Sequence, residues 1–352
     1  MLVRTSTSPS DFSPVRSGAE PPVTGDVSYV SFRHTQPKHS NVKSFATSIA
    51  LSCLASGALT AQTVRLTAAP ARPEPGAVVR LTLSIPVSPA DSIVSIRGAL
   101  AGEPLHFMRS TAGAWHAIGG VPVDADGSLV ANAVIQRISG KTEIARVRFA
   151  LPKVPPPVSQ PLAVDSSFTR PLDSATTARI DRENARAREI GRLAHDQPPM
   201  WTASFLKPRT SAITSEFGSG RLFNGALTTR HLGVDFRGAV GEPVRAANRG
   251  VVALVDSFFL AGNVIYLDHG GGVVTAYFHL SKTLVAAGDT VKRGEEIGLV
   301  GNTGRVTGPH LHWAARYGAI TVNPLDLVAL DRRWYAGTTS RTSGPSRTSA
   351  AR

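Results

Sequence analysis

Three short histidine-containing groups constrain the fold of this chain more than any other sequence feature. They are His231-Leu232-Gly233-Val234-Asp235, Tyr277-Phe278-His279-Leu280 and Gly308-Pro309-His310-Leu311-His312. Together they offer four imidazoles and one carboxylate, which is more than a structural zinc site needs. Three protein ligands with an open fourth position are typical of a catalytic zinc ion, and the remaining imidazoles could then move protons or stabilise charge.

The spacing inside two of these groups predicts strands. Alternate side chains of a strand share a face, so His310 and His312 project together while Leu311 points into the core. The same rule places His231 and Asp235 on one face of another strand. Taken alone, however, the HxxxD spacing is a weak signal, because its two residues could also be neighbours on one face of a helix.

The remaining group, Tyr277-Phe278-His279-Leu280, adds His279, which strand alternation places on the same face as Tyr277. A single histidine in a sequence is usually a satisfied core or surface residue, as we expect for His106, His116 and His269. Three groups in one Gly-rich β domain instead favour a shared groove. We expect that groove to be lined by His231, Asp235, His279, His310 and His312.

Composition limits the architecture. A chain of 352 residues predicts two domains, and a mean hydropathy of −0.01 suits a soluble protein with an ordinary core. The 32 glycines and 25 prolines favour strands and turns over long helices. The single cysteine, Cys53, allows no internal disulfide and excludes a cysteine-based zinc site.

Charge narrows the possible partners. The formal net charge of +13 favours polyanions, namely nucleic acid, anionic lipid or an anionic cell-wall polymer, unless it serves solubility alone. No block of Lys and Arg interleaved with aromatic residues is present, so we expect no nucleic-acid partner.

Residues 42–61 predict a secretory signal peptide, with a basic start at Lys43, an apolar stretch and small residues at its end. The stretch is too short and too rich in Ser and Thr to span a membrane, so we expect no transmembrane span in the mature protein. Residues 1–41 are expected to be disordered or a mis-annotated start, with Val42 as the true first residue. Cys53 follows a poor lipidation sequence. The location predicted is the periplasm or cell envelope.

The remaining chain divides by pattern into a mainly β fold. Residues 62–152 predict a β-sandwich-like domain, because apolar and polar residues alternate over 79–85 and 143–149. Residues 153–200 predict a Pro-rich linker followed by a helix over 175–194, which either packs on a neighbouring domain or acts as a spacer. Residues 201–330 are again rich in strands, and residues 331–352 predict a disordered tail.

The segment from about Trp201 to Leu327 resembles the LytM/lysostaphin-type zinc metallopeptidases, peptidase family M23. The resemblance covers nearly all of this domain, about a third of the chain, in the order typical of the family. It is carried by SEFGSGRLFNG, HLGVDF, GEPVRAANRGVV, AGNVIYLDHGGGVVTAYFHL, GDTVKRGEEIGLVGNTGRVTGPHLHW and NPLDL. The resemblance implies an antiparallel β domain with an open groove.

The resemblance also implies roles for individual residues. One zinc ion per chain would be held by His231, Asp235 and His312. His279 and His310 would be the catalytic imidazoles, one taking a proton from water and the other donating a hydrogen bond to the oxyanion. The residues leave open which of the two does which.

The resemblance is less informative at two further positions. Asn224 is expected near the groove as a residue that contacts or shapes the substrate site, although an ordinary turn Asn before Gly225 explains it equally well. Many family members carry Glu two residues after the second His of HxH, whereas this chain has Ala314 there, which removes a carboxylate that could support the site.

The function implied is a secreted zinc-dependent endopeptidase that hydrolyses peptide cross-links of bacterial peptidoglycan. The first alternative is a non-catalytic LytM-like protein that binds the wall or activates an amidase; such members usually lack ligands that this chain retains. The second is a secreted zinc peptidase with a protein substrate. The sequence leaves open a regulatory protein partner and the bond cut, whether a 4,3 or 3,3 stem cross-link or a glycine bridge.

Overall fold

The structure is a computed structural model that describes residues 63–86, 90–110, 113–154, 158–169, 171–225 and 227–330. The predicted signal peptide at 42–61, the residues before it, Cys53 and the tail at 331–352 lie outside the described residues. Within the described ranges, no helix is long and apolar enough to cross a bilayer. The prediction of a mainly β fold is confirmed, because the same ranges contain 22 strands and two α-helices.

The N-terminal part forms two antiparallel four-stranded sheets. One sheet has the strand order β1-β2-β6-β5 and the other β4-β3-β7-β8. The strands are β1 (Arg65–Ala69), β2 (Val78–Ser84), β3 (Ile93–Leu100), β4 (Glu103–Pro104), β5 (Met108–Arg109), β6 (Trp115–Gly120), β7 (Ser128–Arg137) and β8 (Thr142–Ala150).

One apolar core lies between these two sheets. On β2, Val79, Leu81 and Leu83 are fully buried, and β7 contributes Ala133 and Ile135 to the same cluster. The alternation of buried and partly exposed residues along β2 is the pattern that a strand needs to cover a core on one face only. The two sheets therefore pack in the manner of a sandwich.

The C-terminal part contains the remaining elements. They are β9 (Ser159–Leu162), a 3₁₀ turn (Ser166–Phe168), α1 (Ser174–Leu193), β10 (Ile213–Ser215), β11 (Gly220–Phe223), β12 (Leu227–Arg230), β13 (Val234–Arg237), β14 (Pro243–Arg245), β15 (Gly250–Phe258), β16 (Gly262–Asp268), β17 (Val273–Leu280), β18 (Lys282–Thr283), β19 (Thr290–Val291), β20 (Glu296–Leu299), β21 (His310–Tyr317), β22 (Ile320–Val322) and α2 (Pro324–Val328).

A central antiparallel sheet organises this part. Its strand order is β10-β13-β21-β17-β16-β15-β19, with β22 beside β21. Two three-stranded sheets accompany it, with the orders β12-β11-β9 and β14-β20-β18. Strand β9 is the exception to the antiparallel rule, because it pairs parallel with β11. The chain that follows the N-terminal sheets is thus built into the C-terminal fold.

Helix α1 covers one face of the central sheet. The side chain of Asp173 caps it by accepting the N–H of Thr176 at 2.6 Å. Ala187 and Ile190 of the helix pack in one cluster with Leu254 and Tyr266 of the sheet, whereas Leu193 is exposed. Of the two interpretations of the 175–194 segment, packing is correct and the spacer is wrong, because one face of the helix is buried against strands.

Polar contacts join the N-terminal sheets to the C-terminal part. The Nε2 of His195, just after α1, lies 3.0 Å from the carboxylate of Glu103 on β4, and its Nδ1 lies 2.8 Å from Nε2 of His106. The hydroxyl of Tyr317 donates to the carbonyl of Pro104 at 2.6 Å. His106 is thus a bonded residue away from the donor atoms of the predicted groove, as expected, although its partner is a histidine 89 positions away along the chain.

His269 is a buried histidine outside the predicted groove. Its Nδ1–H donates to the carbonyl of Arg249 at 2.7 Å, and its Nε2 lies 2.8 Å from the hydroxyl of Thr275, which in turn lies 3.0 Å from the hydroxyl of Tyr277. Complete burial lowers the pKa of His269 to about 4, although its hydrogen bond to Arg249 opposes the shift. The folded protein therefore keeps this imidazole neutral.

We expect this histidine to weaken the fold in mild acid. Below pH 6.5 the unfolded chain binds a proton at His269 that the folded chain accepts only near pH 4, so the free energy of unfolding falls as the pH decreases through this window. The loss attributable to this group approaches about 3 kcal/mol at pH 4. Urea unfolding of the wild type and of His269→Gln at pH 7, 6 and 5 measures the difference in slope.

The control is His116→Gln, which removes a less buried histidine on β6. That variant is expected to retain most of the acid sensitivity of the wild type. Equal pH slopes for the wild type and His269→Gln would contradict the assignment.

Candidate metal centre and active site

The antiparallel ladder brings Asp235 and His312 together. Asp235 on β13 is directly opposite His312 on β21, and directly opposed side chains of antiparallel strands have Cβ atoms about 5 Å apart. The Oδ1 of Asp235 lies 2.9 Å from Nδ1 of His312. Between the two histidines of the HxH group, Leu311 is fully buried in the core, as the alternation predicts.

His231 reaches the same point from outside the strands. β12 ends at Arg230 and β13 begins at Val234, so the prediction of one strand through the whole HxGxD group is wrong. Residues four apart on a strand are separated by about 13 Å, whereas Nε2 of His231 lies 3.0 Å from Oδ1 of Asp235. A bend is therefore required. Within it Gly233 is needed, because a Cβ there would lie 2.4 Å from Nε2 of His312.

Three donor atoms from these residues form a small triangle. They are Nε2 of His231, Oδ1 of Asp235 and Nδ1 of His312, and each lies within 3.0 Å of the other two. The Nδ1–H of His231 donates to the carbonyl of Glu216 at 2.9 Å, which leaves a lone pair on Nε2. A neutral His312 can then supply at most one proton to the triangle. One proton cannot form hydrogen bonds along all three of its sides.

A divalent cation satisfies this arrangement. Two nitrogens and one carboxylate oxygen are a ligand set that zinc binds, and tetrahedral bonds of about 2.0–2.2 Å place ligand atoms about 3.4 Å apart. The three residues are buried, and they form a group of potential ligands within 4.8 Å of one another. The residues present therefore fit a zinc ion.

The protonation states also suit a metal. Burial lowers the pKa of His312 to about 4, although the neighbouring carboxylate of Asp235 opposes the shift. Burial alone would raise the pKa of Asp235, but hydrogen bonds from His231 and His312 outweigh it and bring that pKa well below its usual range. His312 is neutral and Asp235 is charged at neutral pH, as metal ligands must be.

Arg221 on β11 holds the other oxygen of the carboxylate. Its guanidinium donates to Oδ2 of Asp235 and, at 3.2 Å, to the hydroxyl of Ser215. Because Oδ2 is occupied, Oδ1 is the oxygen that faces the triangle. Arg221 stands in the SEFGSGRLFNG motif, but no local pattern indicates its partner, which is set by the approach of β11 to β13.

We expect Arg221→Gln to weaken zinc binding without removing a ligand. Loss of a partner that orients a ligand typically costs about 10- to 100-fold in metal affinity. Competition with a chromophoric chelator measures this affinity. The matched control is Arg209→Gln, whose guanidinium pairs with Glu242 instead. The same zinc affinity in Arg221→Gln and the wild type would mean that Asp235 is oriented without Arg221.

His279 and His310 lie beside the triangle, and each ring is held through the same nitrogen, Nδ1. The Nδ1–H of His279 donates to the carbonyl of Thr303, and that of His310 donates to the carbonyl of Gly308, both at 2.8 Å. In each ring Nε2 is therefore the nitrogen that remains available to accept a proton or to donate a hydrogen bond. The two ring centroids are 4.9 Å apart. Burial, and then the nearby His310 and His312, bring the pKa of His279 well below its usual range.

The Nε2 of His310 is a buried atom with no hydrogen-bond partner among the described residues. It lies 3.7 Å from Oδ1 of Asp235, which is too far for a hydrogen bond. Buried polar atoms of native proteins are almost always bonded to protein or water. This nitrogen therefore faces a position that a bound molecule is expected to fill.

The backbone of His279 departs from strand geometry. Its φ is +62°, in the left-handed region that is uncommon for residues other than glycine and is frequent at functional sites. The prediction that Tyr277 and His279 share a face is wrong for this reason. Tyr277 is fully buried in the core, whereas His279 lines the groove beside Phe278, which stacks on His312 at 5.1 Å.

Asn224 occupies a turn with φ of +48° between β11 and β12. Its Oδ1 accepts the N–H of Val164 at 3.0 Å, and its Nδ2 donates to the carbonyl of Val164 and to the hydroxyl of Thr169. The amide is thus bonded to the segment that follows β9. Asn224 is not among the residues that line the groove, so a role in contacting or shaping the substrate site stays a prediction.

The groove consists of two adjoining cavities. One, of about 330 Å³, is lined by Asp235 and His310, and the other, of about 260 Å³, by His231, His279 and His312. Arg221 and Arg305 line both cavities. A larger cavity of about 560 Å³ lies elsewhere, between the N-terminal sheets and α2, and none of the five predicted site residues lines it.

Comparisons with known proteins identify the family to which part of this chain is similar. Residues 229–324 match the family model described as Peptidase family M23. The peptidoglycan DD-endopeptidase ShyA of Vibrio cholerae is 47% identical over 104 residues, which are 29% of this chain and 24% of ShyA. The DD-carboxypeptidase/endopeptidase Mpg of Neisseria meningitidis is 44% identical over 98 residues, 28% of this chain and 23% of Mpg.

The chain thus spans about a quarter of the length of these curated relatives. A crystal structure of a Pseudomonas aeruginosa protein assigned to peptidase family M23 resembles a larger share of the fold. It covers 73% of this chain and 95% of its own, with a TM-score of 0.54 and 25% sequence identity. That likeness extends beyond the matched family segment to the elements around it.

Proposed function

Residues 229–324 form a domain of peptidase family M23, and from this we propose that the protein is a zinc-dependent endopeptidase that cleaves peptide cross-links of bacterial peptidoglycan. The observation that carries the proposal is the triangle of donor atoms from His231, Asp235 and His312, beside two imidazoles whose Nε2 atoms are available. Metal ligands and proton-transfer groups in one groove are the parts that hydrolysis of an amide needs.

In the proposed site His231, Asp235 and His312 hold one zinc ion. When bound, zinc supplies a Lewis acid that polarises the scissile carbonyl and activates water. Arg221 keeps Oδ1 of Asp235 directed at the ion through its own bond to Oδ2. The bend at Gly233 lets the ring of His312 approach closely enough to share the ion with His231.

His279 and His310 divide the proton chemistry. His279 is held neutral by burial, so its Nε2 accepts the proton of the attacking water. The Nδ1 of His310 is bonded to the carbonyl of Gly308, and its Nε2 lies in the same groove, 3.7 Å from Oδ1 of Asp235. We assign to this nitrogen the hydrogen bond to the developing oxyanion. The Thr303 and Gly308 carbonyls fix the orientation of both rings throughout.

Peptidoglycan is the substrate that the similarities support best. ShyA is named a peptidoglycan DD-endopeptidase, and the chain's net charge of +13 attracts anionic polymers. The corresponding location is the periplasm or cell envelope, in agreement with the signal peptide predicted at 42–61. The non-catalytic alternative is disfavoured, because all five predicted site residues line one groove.

Digestion of purified sacculi with the zinc-loaded protein tests this function. Mass spectrometry of the released muropeptides should show loss of cross-linked dimers and a matching rise in monomers, and the products identify the bond cut. Unchanged muropeptides, with zinc confirmed in the protein, would favour the wall-binding or amidase-activating alternative. Cleavage of an added protein in place of the cross-links would indicate a secreted protease.

A further inference from the structure

Arg305 is a cation in the groove that pairs with no carboxylate among the described residues. It stands in the loop between β20 and β21, is partly buried, and lines both cavities. Its guanidinium lies over the ring of Phe223, 4.4 Å from the centroid. In the part of the chain that the structure describes, it forms no ion pair with a carboxylate. Arg221, which lines the same two cavities, is in contrast bound to Asp235.

The surroundings make an unpaired charge at this place costly. Burial lowers the pKa of Arg305, and the positive charge of Arg221 lowers it further. The guanidinium groups of Arg221 and Arg305 line both cavities, and the carboxylate of Asp235 is already paired with Arg221. A negative group entering the groove beside Phe223 would relieve the repulsion.

The loop holds Arg305 in a fixed relation to the reacting centre. Its N–H donates to the carbonyl of Leu260 at 2.9 Å. Two residues before it, the carbonyl of Thr303 binds His279, and three residues after it, the carbonyl of Gly308 binds His310. One short backbone segment therefore positions both candidate catalytic imidazoles and this guanidinium, which is the preorganisation that selective binding requires.

We propose that Arg305 binds a free carboxylate of the substrate next to the scissile bond and thereby selects the cross-link that is cut. A guanidinium matches a carboxylate with two parallel N–H···O bonds, and the Phe223 ring lies beneath the guanidinium of Arg305. The inference rests on the proposed peptidoglycan endopeptidase function and specifies its substrate class.

The substrate class follows from the chemistry of the cross-links. In a direct stem-to-stem link formed by a diamino dicarboxylic acid such as diaminopimelate, the carbon that bears the linked amide nitrogen also carries a free carboxylate. A glycine bridge has no carboxylate beside its internal amide bonds, and an amidated stem has a neutral carboxamide in its place. Arg305 thus favours direct, non-amidated stem cross-links over the other two.

Two synthetic cross-linked peptides that differ only in this group, carboxylate against carboxamide, test the proposal. The zinc-loaded wild type should cleave the carboxylate peptide with a KM about 10- to 100-fold lower, the range expected for a hydrogen bond to a charged group. Arg305→Gln should abolish the preference and Arg305→Lys should retain part of it. The control is Arg249→Gln, an exposed arginine that lines neither cavity, which should leave the preference unchanged.

Binding of the same two peptides to zinc-loaded His279→Asn separates this proposal from the proposed function. Equal dissociation constants for the two peptides would overturn the role of Arg305 even if the wild type cleaves both. Selective binding that is lost in Arg305→Gln, without cleavage by the wild type, would support Arg305 and overturn the endopeptidase function. A fall in kcat of equal size on both peptides in Arg305→Gln would also overturn the proposal.

Discussion

Asp235→Ala is expected to lose zinc and peptidoglycan hydrolysis together. The change removes the one carboxylate of the triangle and leaves the guanidinium of Arg221 with only the hydroxyl of Ser215. Zinc affinity should fall by more than about 100-fold, the upper end of the loss expected when an orienting partner alone is removed. Metal content after dialysis and the rate of dimer loss from sacculi measure the two effects.

Two control variants test whether the loss of zinc is due to the carboxylate of Asp235. Asp235→Asn keeps the shape of the side chain, so loss of zinc in Asp235→Asn separates the missing charge from a packing defect. Asp256→Asn removes a carboxylate that pairs with Arg186 of α1 and should keep full zinc and activity. Normal zinc content in Asp235→Ala would exclude Asp235 from the ligand set.

His279→Ala is expected to keep zinc and lose most of its turnover. His279 is not part of the donor triangle, and its Nδ1 is bonded to the carbonyl of Thr303. Removal of a general base typically lowers the rate about 10²- to 10⁴-fold. The measurement is kcat on a cross-linked peptide, at a zinc content shown to equal that of the wild type.

The left-handed backbone at this position calls for a second variant. Alanine tolerates a φ of +62° poorly, whereas asparagine adopts it more readily, so His279→Asn removes the imidazole with less strain. His116→Gln removes a histidine of the N-terminal sheets and should leave kcat unchanged. Full activity in both His279 variants would refute the proposed role, and loss of zinc would move His279 into the ligand set.

Much of the candidate site was predictable from short-range patterns. The HxH group needs only strand alternation, and the structure agrees, with Leu311 in the core and both histidines beside Asp235. The mainly β class followed from periodic apolar residues and abundant turn residues. Helix α1 begins and ends within one residue of the boundaries expected from its Ala, Arg and Glu content.

Other features of the site depend on backbone conformations that no local pattern shows. His231 approaches Asp235 through a bend outside the strands, and His279 leaves the alternation of β17 because of its positive φ. Both departures are held by bonds to distant segments, namely to the carbonyl of Glu216 and to the carbonyl of Thr303.

The sequence by itself determined the chemistry available to this protein: four imidazoles, one carboxylate and the strand periods that carry most of them. Only the tertiary structure decided which atoms meet. Arg221 meets Asp235, Arg305 meets Phe223 and Glu103 meets His195, and in each pair the residues are at least 14 positions apart in the chain. The physical reason is that strand register and loop packing, which arise from long-range contacts, set distances of a few ångströms, whereas local sequence patterns set only the direction in which a side chain points.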